Sequence, residues 1–502
     1  MSQIYISERT FAISSYFYIV FNSFHMSPGS SHRITAAKVT SRQRIILWLA
    51  CSAVFFEAFD VSIVNLALPV IAEDLHISIA TAQWVQTLYL LSFGGFLLLG
   101  GRLSDYAGSK RIFLLGMLTF GCASALALFS HHIIPLLIAR TVQGVGAALA
   151  IPGGISLLGR HFGEGRPRQT AMGIFGAFAA VGFAGGLALG GMIASFYDWH
   201  WIFGVNVPVI LPVLVAGHYL IPGEKTNVTA SPGPLTACWL TATLLLCCYS
   251  IHELNSLGWL ALPLLTIACI SGIILVRWDR RQTQPFFPES IFSTEMGYRA
   301  WGASLILGVC FLSFIFLCTL SLFEVMHWGV RSIGLLMFPY SIASALVAKF
   351  FLPWLFARMK VPDVALLAMV CLIAGLLLLI AGIEARQMIW FLVALFLVNS
   401  VSISIAYPSL TILSLTDVPS ARQGIAAGLQ SAIYSMGSSV GLSLVGLCLQ
   451  SSTLQATSTL QAISTLQATS TLQAASTQIS LTCMVIMTIC CIAPVLLVKR
   501  SL

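Results

Sequence analysis

Charged side chains make up only 8% of this 502-residue chain, about a third of the share in an ordinary soluble globule. A surface so poor in charge cannot be dispersed in water, which excludes the soluble enzyme and nucleic-acid-binding classes. Acids are scarcer still, 17 against 25 Lys and Arg, for a formal net charge of +8. In a soluble protein that excess would point to nucleic acid. Here the cations gather at the ends of apolar runs, where they orient a chain in a bilayer, so no nucleic-acid partner is implied. Metal-ligand spacing is missing too: the 13 Cys lie mostly within apolar runs, as in Cys247-Cys248 and Cys490-Cys491, and act as small apolar residues. No glycine-rich phosphate loop sits on a soluble domain, which excludes an ATP-driven pump, and no cofactor, metal or nucleotide is implied. The opening stretch Phe11 to Phe24 is short for a span and lacks both a basic leading region and a cleavage site. It is therefore not a signal peptide, and residues 1–44 read as a cytoplasmic extension, with Met26 as an alternative start.

What the chain has instead is apolar length: 58% hydrophobic residues and a mean hydropathy of +0.93. A membrane span needs about twenty apolar residues. Fourteen segments qualify, near 45–71, 80–101, 112–130, 134–158, 170–196, 201–221, 234–251, 257–276, 300–323, 332–354, 364–382, 387–412, 423–449 and 479–498. With this count only Arg331 and Arg386 fall in loops on the outer side, while clusters such as Arg277, Arg280 and Arg281 fall inside. Cationic loops stay cytoplasmic, so both termini are expected there, in a multi-pass protein of the inner (plasma) membrane. Between the last two segments, Ser452 to Thr477 repeats Ser-Thr-Leu-Gln-Ala-Thr about four times. A six-residue period scatters its Leu over several helix faces, and the stretch is expected to be a low-complexity external loop.

Four motifs lie in order on these segments. Phe59-Asp60-Val61-Ser62-Ile63-Val64-Asn65-Leu66-Ala67-Leu68-Pro69 is in the first, followed by Trp84 and Tyr89 in the second. Gly100-Gly101-Arg102-Leu103-Ser104-Asp105-Tyr106-Ala107-Gly108-Ser109-Lys110-Arg111 joins the second to the third. Arg140-Thr141-Val142-Gln143-Gly144-Val145-Gly146-Ala147 is in the fourth, and Gly182-Phe183-Ala184-Gly185-Gly186-Leu187-Ala188-Leu189-Gly190-Gly191 in the fifth. Together they resemble the signatures of the major facilitator superfamily, and in particular its fourteen-helix drug:proton antiporter branch (EmrB/QacA type). The resemblance is close over residues 45–221 and looser over 300–449. It departs at Leu187, where the family has a proline, and at His200, where it has an arginine between two Trp.

The resemblance implies an all-α membrane protein of two six-helix bundles, residues 45–221 and 300–502, joined over 222–299 by two extra transmembrane helices. It implies a secondary transporter rather than an enzyme, exporting amphipathic or cationic drugs in exchange for protons. The partners are then a small-molecule substrate, protons and the lipid bilayer, for a carrier working as a monomer, with a periplasmic adaptor protein left open. Export of another class of metabolite, or a sensor or scaffold without turnover, remains as the alternative reading.

Charges within hydrocarbon cost at least a few kcal/mol each and mark function. Glu57 and Asp60 are three apart and share a helix face. At about 1.5 Å per residue, Asp60 and Arg140 both fall roughly 9 Å from the outer edge of the core. They are candidates for a buried pair, with Gln143 one turn from Arg140 and Glu57 near the midplane as a proton carrier or cation site. Gly101 and Gly108 would permit a tight cytoplasmic gate turn with Asp105, Lys110 and Arg111. Gly182, Gly186 and Gly190, with Gly191 beside them, form a smooth strip on which another helix can pack closely.

Overall fold

A computed structural model describes residues 40–163, 166–223, 233–282, 285, 295–324, 327–385, 387–416, 418 and 423–460. Among them the chain is helical throughout: α1 (Ser41–Asp74), α2 (Ile79–Ala107), α3 (Ser109–Leu128), α4 (Ile133–His161), α5 (Arg166–Phe196), α6 (Trp201–Leu220), α7 (Pro234–His252), α8 (Gly258–Asp279), α9 (Glu295–Glu324), α10 (Val330–Phe356), α11 (Val361–Ala385), α12 (Met388–Ser414) and α13 (Gln423–Leu460). Helices are the expected answer to a medium without water, because they satisfy every backbone polar group within the segment.

Twelve of these, α1 to α12, are long and apolar enough to cross a bilayer, against the fourteen expected. The thirteenth segment, 423–449, is helical within α13 but carries Ser431, Ser435, Ser438, Ser439 and Ser443, which lower its apolar character. Those hydroxyls are spent inside: those of Ser438, Ser439 and Ser443 each donate to the carbonyl four residues back at 3.0 Å. The fourteenth segment, 479–498, lies outside the described residues. So do residues 1–39 and most of the repeat. The part of the repeat that is described, up to Leu460, extends α13 rather than forming a loop. Leu, Gln and Ala favour helix and the repeat holds neither Gly nor Pro to stop it.

Two long crossings join the first group of helices, α1–α6, to the second, α9–α13: α2 lies against α13, and α5 against α10. The hairpin α7–α8 docks by α7 on both α2 and α13. Its second helix is nearly all surface, with Leu262, Ile267, Ile270 and Ile273 each at least half exposed, as a lipid-facing helix requires. The glycine strip of α5 faces α1. A methyl group on Gly182 would strike Phe55 O, one on Gly186 the Ser62 hydroxyl and Phe59 O, and one on Gly190 the Ile63 side chain. Gly191 instead faces Val330 and Gly334 of α10, and Gly334 in turn lies against the carbonyl of Leu187.

The gate turn is tighter than the motif implies. Helix α2 runs on through Gly101 and Asp105 to Ala107, and Gly108 alone breaks it, at a φ of 96° that side chains rarely adopt. Gly101 needs no freedom of this kind: nothing lies within 4 Å of where its Cβ would be. The close approach belongs to Gly100, whose added methyl would strike the Ala148 carbonyl of α4. At the opposite end, His200 closes the loop between α5 and α6. Its Nδ1 lies 2.5 Å from Asp198 Oδ1 and its Nε2 2.9 Å from Ser130 O. Each ring nitrogen thus faces an oxygen acceptor. Partial burial pushes the Asp198 carboxyl up, but its hydrogen bonds from His200 prevail and hold it below its ordinary value. Trp199 Nε1 donates to Asp74 Oδ2 at 2.9 Å, which ties the end of α1 to the same loop.

The two adjacent glycines separate packing from sequence pattern. Gly101→Ala should leave the melting temperature of the purified protein unchanged or raise it, since Ala gains roughly 0.5–1 kcal/mol over Gly inside a helix. Gly100→Ala should lower it by several degrees, because α2 and α4 must separate. Equal effects in a thermal melt would show that the crossing is not made at Gly100.

Candidate functional site

Arg140 is the largest fully buried side chain among the described residues, at 0% exposure. A guanidinium presents five donors and remains charged, so burying it demands a ring of acceptors. The fold provides them from several helices. Nη1 donates to Asp60 Oδ2 of α1 at 2.5 Å and to Gln143 Oε1 at 2.6 Å. Nε donates to the Val85 carbonyl of α2 at 2.9 Å, and Nη2 lies 3.5 Å from Gln86 Oε1. The faces of the guanidinium are covered as well, by the Tyr89 ring with its centroid 4.2 Å from Cζ and by Phe203 of α6 at 5.7 Å, a cation–π arrangement.

Gln143 completes the enclosure. Its Nε2 donates to Asp60 Oδ1 at 2.8 Å and to the Ser124 hydroxyl of α3 at 3.0 Å. Both oxygens of the Asp60 carboxylate therefore receive a donor, and both donors come from α4. Gln86 Nε2 donates to the Val61 carbonyl at 3.3 Å, the other polar tie between α1 and this network. Backbone proximity makes the geometry possible: one residue beyond Gln143, a methyl on Gly144 would strike the Tyr89 carbonyl and the Ser92 hydroxyl of α2.

Glu57 stands apart from this enclosure although it is one turn from Asp60. It is half-buried, and its carboxylate has no hydrogen bond or ion pair among the described residues. Its charge acts on Tyr89 and also on Tyr407 of α12 and Tyr434 of α13. Those two rings meet edge to face, with centroids 5.2 Å apart, and Tyr407 Oη lies 2.9 Å from the Ser431 hydroxyl. Nearby helices also bring Phe183 of α5 and Phe311 of α9 together across the two groups, with centroids 6.1 Å apart. The two acids of α1 thus differ in their surroundings: Asp60 is enclosed by α2–α4, whereas Glu57 has Tyr89 of α2 and also Tyr407 and Tyr434 of the second group within electrostatic range.

The gate residues form a looser set. Asp105 and Arg160 are 3.8 Å apart with both side chains substantially exposed, a pair worth roughly 1 kcal/mol or less. Lys110 is better placed: its Nζ donates to the carbonyls of His218 and Ile221 at 2.6 Å each, capping α6. Arg111 is exposed. Motif reading missed Val85, Gln86, Ser124, Phe203, Tyr407 and Tyr434. Gln86 carries a detectable signal as a polar side chain inside an apolar run; a backbone carbonyl and generic aromatics carry none.

The buried charges are spread over helices long and apolar enough to cross a membrane, and among the described residues there is no metal-holding group of His, Cys, Asp and Glu. Residues 50–442 match the family model of the Major Facilitator Superfamily, and the chain belongs to that family: it is a multi-pass membrane transporter, not an enzyme. It is 32% identical over 334 residues to the cephamycin export protein of Amycolatopsis lactamdurans, covering 64% of this chain and 67% of that one. It is 34% identical over 310 residues to the puromycin resistance protein of Streptomyces alboniger, covering 59% and 60%. A multidrug efflux pump of Mycolicibacterium smegmatis is 25% identical over 413 residues, covering 81% and 82%. Among solved structures, an auto-inhibited peptide transporter of the POT family superposes with a TM-score of 0.62 at 13% identity, over 91% of this chain and 96% of that one. This likeness concerns the fold alone.

Charge balance in the enclosure can be tested directly. Asp60→Asn leaves Arg140 without its counter-charge and should cost on the order of 3–5 kcal/mol; Arg140→Ala should do the same by stranding the carboxylate. The double variant holds no lone charge and should recover much of the loss. If thermal stability of the double variant equals the sum of the single losses, the two residues are not energetically paired.

Proposed function

We propose that this protein is a proton-driven exporter of amphipathic or cationic small molecules, of the fourteen-span drug:proton antiporter type. The observation that carries the proposal is the division of labour on α1. Asp60 is locked to donors from α4, and three residues earlier Glu57 has no hydrogen bond or ion pair and lies within electrostatic range of Tyr407 and Tyr434. The printed names of the relatives, which speak of export, resistance and efflux, support the same direction of transport.

The geometry supplies a mechanism. A proton arriving on Asp60 must displace one of its two donors, and it cancels the charge that Arg140 faces. Arg140 keeps its other partners, Val85 O, Gln86, Gln143 and the Tyr89 ring, all on α2 and α4, but it loses its counter-charge, and that loss drives the rearrangement. What comes loose is α1. Helix α1 is packed on the glycine strip of α5, and α5 crosses α10 at Gly191 and Gly334, so a movement of α1 reaches the second group of helices. A membrane potential of about 100 mV offers roughly 2.3 kcal/mol per charge moved, comparable to the cost of such a rearrangement. Glu57, with the faces of Tyr407 and Tyr434, supplies a carboxylate and aromatic surface for a cationic substrate.

The hairpin α7–α8 supports the fourteen-span branch, since it adds two spans between the two groups. With α13 and segment 479–498 as the remaining two, both termini lie in the cytoplasm. Reporter fusions after Leu502 and within 224–232 should then both behave as cytoplasmic; an external signal at either would overturn the count.

Transport is tested with the full chain in proteoliposomes, using ethidium as the cation and an imposed proton gradient. Wild type should expel it only with the gradient present. Glu57→Gln should lose most of this flux, at least tenfold, with the melting temperature unchanged. Gradient-independent flux in wild type, or full activity of the Glu57 variant, would contradict the proposal.

A further inference from the structure

A second group of buried polar side chains lies outside the Asp60–Arg140 enclosure, where α7 meets α2 and α13. His252, the last residue of α7, is 2% exposed, and Gln83, one turn into α2, is 0% exposed. The His252 Nε2 and both polar atoms of the Gln83 amide have no hydrogen-bond partner. The two side chains face each other over Gly446 of α13, where an added methyl would strike both the His252 ring and Gln83 Oε1. The Trp84 ring walls the imidazole edge-on, with centroids 5.0 Å apart, and lies 6.2 Å from Tyr249. Such an arrangement is costly as it stands. Each buried polar atom left unsatisfied forfeits about 1–3 kcal/mol, and three lie together.

We propose that His252 and Gln83 form a proton-binding site of the linker hairpin, in which the protonated imidazole donates its Nε2–H to Gln83 Oε1 and so fastens α7 to α2 beside α13. A neutral ring meets the amide at Nε2 as donor or acceptor according to its tautomer, whereas the imidazolium donates at both nitrogens and makes the bond to Gln83 Oε1 charge-assisted and therefore stronger. Few other groups compete for the proton. From α2 the facing side chains are Gln83 and Trp84, and from α13 Ser443 and Gly446, none of which titrates in the physiological range. On its own helix, Cys248 is one turn away with its thiol on Ser443, and Tyr249 lies beside Trp84; burial disfavours the charged ring, and Glu253, next in the chain, offsets this only in part. Along α8 the first charged side chain is Arg277, at the far end. Glycine at 446 keeps the pocket open: it is the one residue type that leaves the ring and the amide in mutual view.

The site lies on the crossing of α2 and α13, which joins the two groups of helices. A proton there binds the hairpin to that crossing, and its loss frees α7 from α2. This gives the two extra spans a role that packing alone does not, and it is independent of what Asp60 and Glu57 do.

The test is nitrogen NMR of the full chain in lipid nanodiscs with isotopically labelled histidine, followed through a pH titration. The His252 signal is identified by its disappearance in His252→Gln; should that variant fail to fold, Gly446→Ala identifies it as the ring signal that moves. The expected result is a reversible change from neutral ring to imidazolium on acidification, with its midpoint below the ordinary histidine value because the ring is buried. Gln83→Leu removes the acceptor and should lower the midpoint by about one unit. A His252 ring that stays neutral throughout, or a midpoint that Gln83→Leu does not move, would overturn the proposal and leave His252 as a packing residue.

Discussion

One permanently charged guanidinium, placed where there is no water, organises the first group of helices. Arg140 can be buried only if its donors are met and its charge is balanced. That requirement fixes Asp60 on α1, Val85 and Gln86 on α2, and Gln143 with Ser124 behind it, at 2.5–3.5 Å from their partners. It also fixes the backbone. Helices α2 and α4 must lie close enough for Val85 O to reach Nε, and Gly144 allows this by offering no side chain to the Tyr89 carbonyl. The packing of α2 on α4 at Gly100 continues the same crossing toward the gate turn.

The carbon framework around this site transmits rather than absorbs movement. Three glycines of α5 bring its backbone against α1, and a fourth brings it against α10, so α1 and α5 shift as one body. The polar ties of α1 to α2 and α4 are few, and the strongest runs through Asp60. Helix α1 is thus held firmly on one side and by a titratable contact on the other. In the proposed mechanism a proton at that contact changes which neighbours hold α1, and Glu57 on the same helix then moves with it relative to Tyr407 and Tyr434.

Much of this was legible in the order of residues, for identifiable reasons. The rise of a helix per residue sets depth, which is why Asp60 and Arg140 could be put at one level before any coordinates. A glycine at every fourth position marks one helix face, and in the structure that face meets α1. Other features were not legible because they depend on helix phase and on distant partners. Gly100 and Gly101 are neighbours, yet only packing decides that Gly100 faces Ala148 while Gly101 faces open space. Tyr407 and Tyr434 are ordinary aromatics in sequence and gain meaning only opposite Glu57. The serines of α13 lower its apolar character, yet their hydroxyls turn back on their own helix, so it can pack against α2 and α9, which residue order alone does not show. The described start of the repeat, up to Leu460, continues the helix because it holds neither Gly nor Pro to break it.

The central claim is that Asp60 gains and loses a proton as the carrier works. Infrared difference spectroscopy on the full chain in membranes, recorded on acidification and again on adding ethidium, reads protonated carboxyl groups directly. Proton coupling through α1 requires a protonated-carboxyl band that grows on acidification, is reversed by ethidium, and loses one component in Asp60→Asn and another in Glu57→Gln. A spectrum in which Asp60→Asn changes nothing would mean that Asp60 stays ionised beside Arg140 throughout, and that the pair holds the fold together without coupling it to protons.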